Sequence, residues 1–154
     1  MENQIKIISA LLGELLEKMT VAGQVECSEM DGGPVFTIKT REAGMLIGEG
    51  GKHLIALSHI VKKMAENKLK KDNLEDVPFL LDVNDYQIKR IEELRNIARM
   101  SAQRVIFFKK ELEMEPMSAY DRRIIHSVLG GYPDIKTESV GEGFDRRVVI
   151  KPII

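Results

Sequence analysis

Residues 43–64, AGMLIGEGGKHLIALSHIVKKM, carry the strongest fold signal in the chain. A short apolar run reaches a cluster of glycines, and an amphipathic pattern follows with Leu54, Leu57, Val61 and Met64 on one face. Glycines allow a tight turn and the close approach of another backbone. The start of a helix offers unpaired N–H groups and a positive dipole end, which can hold a phosphate. The pattern leaves two interpretations open: an anion-binding loop, or only a tight turn between two helices.

The segments around this loop predict the order α-β-β-α-α-β. Apolar residues at spacings of three and four predict a first helix over about residues 2–19. Two β-rich segments, at about residues 21–30 and 35–40, flank a DGGP turn and predict a hairpin. A helical turn before the glycines and the helix after them lead to a short apolar strand at residues 79–84.

The second half of the chain predicts the order α-α-β-β. A long helix is predicted over residues 86–112 and is broken before Pro116. Ser118 is placed to cap a second helix, which stops at a GGYP sequence. Two strands joined by a GEG turn follow, and the pattern leaves room for one further strand that it does not place. The predicted fold class is α+β, with two small domains at residues 1–84 and 85–154 joined through the long helix.

The composition limits the classes of protein that fit. The single cysteine, Cys27, excludes an internal disulfide and a cysteine-based zinc site, and it is typical of a reducing compartment. The N-terminus has no secretory pattern, and no run of about 18 apolar residues occurs, so we expect a cytoplasmic protein without membrane insertion. There is no tryptophan, and aromatic residues make up only 5% of the chain, so platforms for base stacking are predicted to be scarce.

Charge is segregated along a nearly neutral chain. The net charge is −1, but residues 1–31 carry −4, residues 62–71 carry +4 and residues 89–110 carry +5. Such segregation can create a basic surface on a neutral protein. The alternative is that these lysines and arginines only solvate helix faces.

Spacing excludes two common phosphate-binding loops. A Walker A loop requires Ser or Thr after its lysine, whereas Lys52 is followed by His53. A dinucleotide fingerprint requires G-x-G-x-x-G after a strand, and the segment before Gly48 is helical in pattern. What remains is Gly-x-x-Gly between two helices within α-β-β-α-α-β.

In this context the first half resembles a K-homology (KH) domain of the bacterial, type II topology. The resemblance rests on the sequence IGEGGK at residues 47–52 and on the apolar face behind it. It implies that the loop clamps the backbone of about four single-stranded nucleotides. It also implies an aliphatic groove for bases, for which the candidates are Ile38, Met45, Ile47 and Leu54; each of these is alternatively an ordinary core residue.

Glu49 departs from the basic residues that KH loops often carry. An acid beside a phosphate weakens the contact, so Lys52 and the lysines of residues 62–71 are expected to attract the strand.

The sequence SAYDRRIIHSVL places Arg122 and His126 four residues apart, on one side of a predicted helix, with Arg123 pointing away. The second half resembles the Arg-x-x-x-His, or R-three-H, domain in this segment, in TESVGEG at residues 137–143 and in RRVVI at residues 146–150. A KH domain followed by this domain is the arrangement of the bacterial Jag, or SpoIIIJ-associated, RNA-binding proteins. Jag proteins usually carry a further N-terminal domain, which we expect this sequence to lack, either because the protein is a short relative or because that part has been removed.

The resemblance implies a cytoplasmic protein that grips single-stranded RNA with both modules, in post-transcriptional regulation linked to cell elongation, envelope synthesis or sporulation. DNA stays open as a competing ligand. Because neighbours in a strand face opposite ways, one of Arg146 and Arg147 is expected to be structural. The predicted nucleic-acid-binding residues are Ile47, Gly48, Glu49, Gly50, Gly51, Lys52, Leu54, Arg122, Arg123, His126, Arg146 and Arg147.

Two other functions are weighed against RNA binding. Glu49 motivates a protein-interaction scaffold with little RNA affinity, and the resemblance also implies pairing with a second copy or with another KH protein. The third possibility is a phosphate-handling enzyme. No histidine lies at a metal-binding spacing and no carboxylate pair stands out, so we expect no catalytic residue, no metal and no cofactor.

Overall fold

The computed structural model describes residues 1–153, which form two compact units divided between Gln87 and Ile88. Each unit has its own hydrophobic core and its own three-stranded sheet. The α+β class predicted from the sequence is confirmed.

The first unit follows the predicted order of elements. They are α1 (Glu2–Lys18), β1 (Gly23–Met30), β2 (Gly33–Thr40), α2 (Ala43–Ile47), α3 (Lys52–Lys71) and β3 (Leu80–Val83), with a 3-10 turn at Glu49–Gly51 between α2 and α3. The sheet order is β1-β2-β3, with β1 and β2 antiparallel and β2 and β3 parallel.

The central strand β2 and the helices α1 and α3 supply the core of this unit. Phe36 on β2 is fully buried and meets the ring of Phe79 edge to face, with ring centroids 5.3 Å apart. The helices bury their apolar stripes against the sheet, including Ile8 and Leu12 of α1 and Val61 of α3. The end of α2 and the start of α3 are therefore held on a packed layer, with the glycine loop at its edge.

A buried aspartate fixes the turn from β3 into the next helix. Asp82 has no exposed surface, and its Oδ1 accepts hydrogen bonds from the backbone N–H groups of Val83 at 2.7 Å and Gln87 at 2.8 Å. Asn84 then bonds both backbone groups of Thr40, at 3.0 and 2.8 Å, which ties this turn to the end of β2. The first turn of the long helix thus depends on two polar side chains that follow a buried strand.

The second unit contains one more strand than the pattern placed. Its elements are α4 (Tyr86–Phe108, whose first two residues belong to the first unit), β4 (Leu112–Glu113), α5 (Ala119–Leu129), β5 (Ile135–Val140) and β6 (Arg147–Pro152), with a 3-10 turn at Gly143–Asp145. The sheet order is β4-β6-β5, and both pairings are antiparallel.

Two predicted boundaries in this unit are wrong. The long helix ends at Phe108 and not at residue 112, because Lys109 adopts a left-handed φ of 54° and Leu112 pairs with Ile150 as part of β4. Arg146 precedes β6 instead of lying in it, because a 3-10 turn occupies the chain before it. The predicted cap of α5 is confirmed: Ser118 Oγ accepts from the N–H of Asp121 at 3.2 Å.

Over residues 1–153, no helix has both the length and the apolar character needed to cross a membrane.

Replacing Asp82 with Ala is expected to lower the free energy of unfolding of the first unit by about 2–3 kcal/mol, because the N–H groups of Val83 and Gln87 lose their acceptor. Asp82→Asn keeps an oxygen acceptor of similar size and should cost clearly less. Urea unfolding followed by circular dichroism measures both variants, and equal losses for the two would contradict this role.

Candidate nucleic-acid interface

The loop between α2 and α3 has a backbone that only glycine adopts readily. Gly48, Gly50 and Gly51 have φ values of 70°, 63° and 80°, all in the left-handed region. The N–H of Gly48 donates to the carbonyl of Gly44 at 3.0 Å, and the N–H of Gly51 donates to the carbonyl of Gly48 at 3.2 Å. The chain therefore ends one helix and starts the next within four residues.

His53 packs against the loop, which the sequence did not indicate. Its Nδ1 lies 2.8 Å from the carbonyl oxygen of Met45, and a carbonyl only accepts, so Nδ1 donates. A Cβ built on Gly48 would lie 2.5 Å from Cγ of His53. One on Gly51 would lie 3.2 Å from Cε1 of Tyr86, whereas one on Gly50 would meet nothing within 4 Å. Gly48 and Gly51 are thus needed for close packing, and Gly50 is needed for its φ alone.

The charged residues of the loop face the solvent. Glu49 and Lys52 are both exposed, on either side of the glycine pair. Downstream, Lys63 and Lys70 form ion pairs with Glu66, and Lys68 pairs with Asp72. These ion pairs neutralise part of the basic segment. Lys52 directly follows Gly51 and is the cation nearest to the glycines along the chain.

The four groove candidates divide into two kinds. Ile38 and Leu54 are each 1% exposed and belong to the core, so they support the loop from behind. Met45 is 51% exposed and Ile47 is half-buried, so these two side chains can offer apolar surface beside the glycines.

In the second unit, α5 places Arg122 and His126 together. Ile125 and Leu129 bury one face of this helix, and Arg122 and His126 are half-buried at its border. Arg123 is exposed and points away, as expected from 100° per residue.

Two hydroxyl groups on β5 hold the imidazole of His126. Its Nδ1 lies 2.7 Å from Oγ1 of Thr137, and its Nε2 lies 2.8 Å from Oγ of Ser139. Burial, and secondarily the charge of Arg122, lowers the pKa of His126 below its ordinary value. A neutral imidazole donates to one hydroxyl and accepts from the other, so His126 orders both hydroxyls. Sequence reasoning missed Thr137 and Ser139, although their spacing of two residues in a strand puts them on one face.

The backbone of Met117 connects Arg122 to Arg146. Nη1 of Arg122 donates to the Met117 carbonyl at 2.7 Å, and the Met117 N–H donates to the Arg146 carbonyl at 3.2 Å. Nη1 of Arg146 donates to the carbonyl of Gly141 at 2.8 Å. A guanidinium carries five N–H donors, so both arginines keep capacity for an anion.

Arg147 makes different contacts. Its Nε forms an ion pair with the Glu113 carboxylate at 3.0 Å, and its Nη1 donates to the carbonyl of Asp145 at 3.1 Å. These contacts hold β4 against β6. Of the two neighbouring arginines, Arg147 has the partners of a structural residue, and Arg146 is linked through its backbone carbonyl to Met117, which Arg122 also contacts.

The arrangement offers cations, hydroxyls and backbone N–H groups, which bind phosphate oxygens and polar base edges. Over residues 1–153, no three His, Cys, Asp or Glu side chains come close enough together to hold a metal ion. Burial and the charge of Glu29 raise the pKa of the Cys27 thiol, which disfavours the nucleophilic thiolate.

Stability should depend on pH through His126. Because its pKa in the folded protein lies below the ordinary 6.5, the unfolded chain binds more protons as pH falls through that value. The free energy of unfolding therefore decreases on acidification. Between about pH 7 and pH 5, the wild type should lose more stability than His126→Gln, measured by urea unfolding at each pH. Parallel pH profiles for the two proteins would contradict this assignment.

Comparisons with known proteins match the second half to a family model and most of the chain to named relatives. Residues 92–152 match the family model of the R-three-H domain, the Arg-x-x-x-His domain named above. The chain is 37% identical over 117 residues to a protein of Bacillus subtilis (strain 168) named RNA-binding protein KhpB, covering 75% of this chain and 54% of that protein. It is 33% identical over 132 residues to the protein of the same name from Clostridium symbiosum, covering 86% and 58%.

A third relative of that name, from Lactiplantibacillus plantarum, is 25% identical over 149 residues, covering 97% of this chain and 45% of the relative. The chain thus spans about half the length of the curated relatives that it matches. The predicted resemblance to the Jag RNA-binding proteins is confirmed by the R-three-H match and by the relatives named RNA-binding protein KhpB.

Proposed function

We propose that this protein binds single-stranded RNA through two modules, a KH domain over residues 1–84 and an R-three-H domain over residues 85–154. The observation that carries the proposal is the cluster in the second unit, where Met117 links Arg122 to Arg146 and the hydroxyls of β5 order His126. The relatives named RNA-binding protein KhpB support it.

In the first module, backbone N–H groups and Lys52 would meet the phosphates, and Met45 and Ile47 would meet a base. The φ values of Gly48, Gly50 and Gly51 support such a clamp, because the absence of side chains lets a sugar-phosphate backbone come close. Glu49 opposes it electrostatically. The first module is therefore the weaker one, and the second supplies more of the affinity.

The remaining parts of the proposal concern context. We propose a cytoplasmic binding protein without enzymatic activity, since the R-three-H domain and the names of the relatives describe binding. A role in post-transcriptional regulation linked to cell elongation, envelope synthesis or sporulation stays a prediction, as does a preference for RNA over DNA.

A second candidate function is a protein-interaction scaffold, which includes pairing with another copy or another KH protein. Ile60 and Met64 favour it, because they are 54% and 38% exposed on α3. Capture from a lysate with and without nuclease separates the two functions. Partners that disappear with the RNA support RNA binding, and partners that stay support the scaffold.

Replacing Arg122 with Gln should weaken binding of a short single-stranded RNA and reduce the slope of log K against log salt by about 1, as expected for the loss of one phosphate contact. Arg123→Gln removes the same charge from the exposed side of the same helix and is the matched control. Fluorescence anisotropy over a salt series measures both. Equal effects of the two substitutions would show that only net charge matters.

Replacing Glu49 with Lys should tighten RNA binding by about 3- to 30-fold at low salt, because one repulsive charge becomes attractive beside the phosphates. Glu14→Lys makes the same charge change at an exposed site of α1 and should have a much smaller effect. If both variants bind alike, the loop does not approach the phosphates. Gly48→Asp tests the loop less cleanly, since any Cβ there strikes the ring of His53.

A further inference from the structure

Phe144 is the most exposed aromatic side chain among residues 1–153. It lies in the loop between β5 and β6, and its exposed fraction is 96%. The chain has five phenylalanines, and Phe36 and Phe79 belong to the core of the first unit. A phenylalanine surrounded by water at a loop tip contributes nothing to a core, which raises the question of what covers it.

Two backbone hydrogen bonds constrain the loop that carries Phe144. The N–H of Asp145 donates to the Glu142 carbonyl at 3.1 Å, and the N–H of Arg146 donates to the Gly143 carbonyl at 3.3 Å. A Cβ on Gly141 would lie 2.8 Å from the carbonyl oxygen of Asp145, which shows how closely the two sides of the loop approach. A ring on an ordered backbone loses little conformational entropy when it binds a partner.

The loop also adjoins the Arg122–His126 cluster. Thr137 and Ser139 face His126, and β5 ends at Val140, one residue after Ser139, so the loop begins directly after the strand positions that contact His126. On the other side of the loop, the Arg146 carbonyl bonds the Met117 N–H, and the Met117 carbonyl bonds Arg122. The loop that carries Phe144 is therefore connected at both ends to the cluster that the proposed function assigns to RNA.

The charges of the loop favour a nucleobase over a phosphate as the partner. Glu142 and Asp145 flank Phe144, so the tip of the loop does not attract an anion by itself, and the cations Arg146 and Arg147 follow at its end. The face of an aromatic ring stacks on any base, and such stacking is a common contact with single-stranded nucleic acid. An exposed ring at a loop tip that does not attract anions fits a base whose phosphate is bound by the neighbouring arginines.

We infer that Phe144 is a base-stacking site: an unpaired base lies on its ring while the adjoining phosphates lie along Arg122 and Arg146. The inference rests on the proposed function. Stacking on Phe144 would add to the affinity for RNA without favouring a particular base, because every base has a face that can stack.

The absence of tryptophan allows a direct test in the intact chain. In Phe144→Trp, the introduced indole is the sole tryptophan, and a base stacked on it quenches its fluorescence. Titration with a short single-stranded RNA should give saturable quenching at the Kd measured independently by anisotropy. Phe107→Trp, at a residue 80% exposed on α4, is the matched control and should show no saturable quenching. Binding without quenching in Phe144→Trp, or equal quenching in both variants, would overturn the inference.

A second measurement separates stacking from electrostatics. Phe144→Ala should weaken binding by about 5- to 100-fold, the range of one base–aromatic stack, without changing the slope of log K against log salt. Phe144→Tyr should bind like the wild type. Because the ring is exposed, thermal unfolding should be unchanged in both variants.

The outcomes distinguish this inference from the proposed function. If Arg122→Gln weakens binding and Phe144→Ala does not, the stacking site is wrong and the RNA-binding function stands. If the wild type does not bind single-stranded RNA, both are wrong.

Discussion

At Gly48 the backbone takes a φ of 70°, and the ring of His53 occupies the place where a Cβ would be. This contact joins the end of α2 to the first turn of α3, because the same ring donates to the carbonyl of Met45. Leu54 follows at once and is buried in the core. The glycine loop is therefore held between a packed ring and a packed leucine, while Glu49 and Lys52 stay in solvent. In the proposed function, the first unit presents its backbone to the ligand, and its side chains mostly support that backbone.

In the second unit, the proposed function depends on side chains. Arg122, His126 and Arg146 come from α5 and from the loop before β6, and hydrogen bonds to Met117, Thr137 and Gly141 respectively orient them. The carbonyl of Met117 accepts a hydrogen bond from Arg122, and its N–H donates one to the Arg146 carbonyl, although the Met117 side chain carries no charge. A neutral His126 between two hydroxyls provides donors and acceptors of fixed direction, which suits a base edge or a phosphate oxygen. Preorganised groups of this kind lose less entropy on binding than mobile ones do.

Much of this could be predicted from the sequence, because local patterns decide it. The order of elements in the first unit, the helix start at the glycines and the cap at Ser118 follow from periodicity and from the chemistry of single residues. The end of α4 could not be predicted. Lys109 has a left-handed φ, but lysine is common in helices and gives no signal for a helix end. A strand as short as Leu112–Glu113 has no periodicity to detect; only its pairing with β6 defines it.

The candidate site was less accessible to sequence reasoning than the fold. Core and groove both require apolar residues, so the sequence does not distinguish Leu54 from Met45. Only their exposed fractions in the structure, 1% and 51%, show that Leu54 belongs to the core. The partners of His126 lie 11 and 13 residues further along the chain, and only the packing of α5 on β5 brings them together. Arg146 and Arg147 are adjacent in sequence, but Glu113 on a third segment decides which one is neutralised.

The central claim is that both units contact one single-stranded RNA. Amide chemical shifts of the labelled protein, recorded during titration with a short single-stranded RNA, test it most directly. We expect the largest changes at residues 45–53 and in two segments of the second unit, 117–126 and 137–147. Changes confined to α1 or to the exposed face of α3, with both of these regions unaffected, would contradict it.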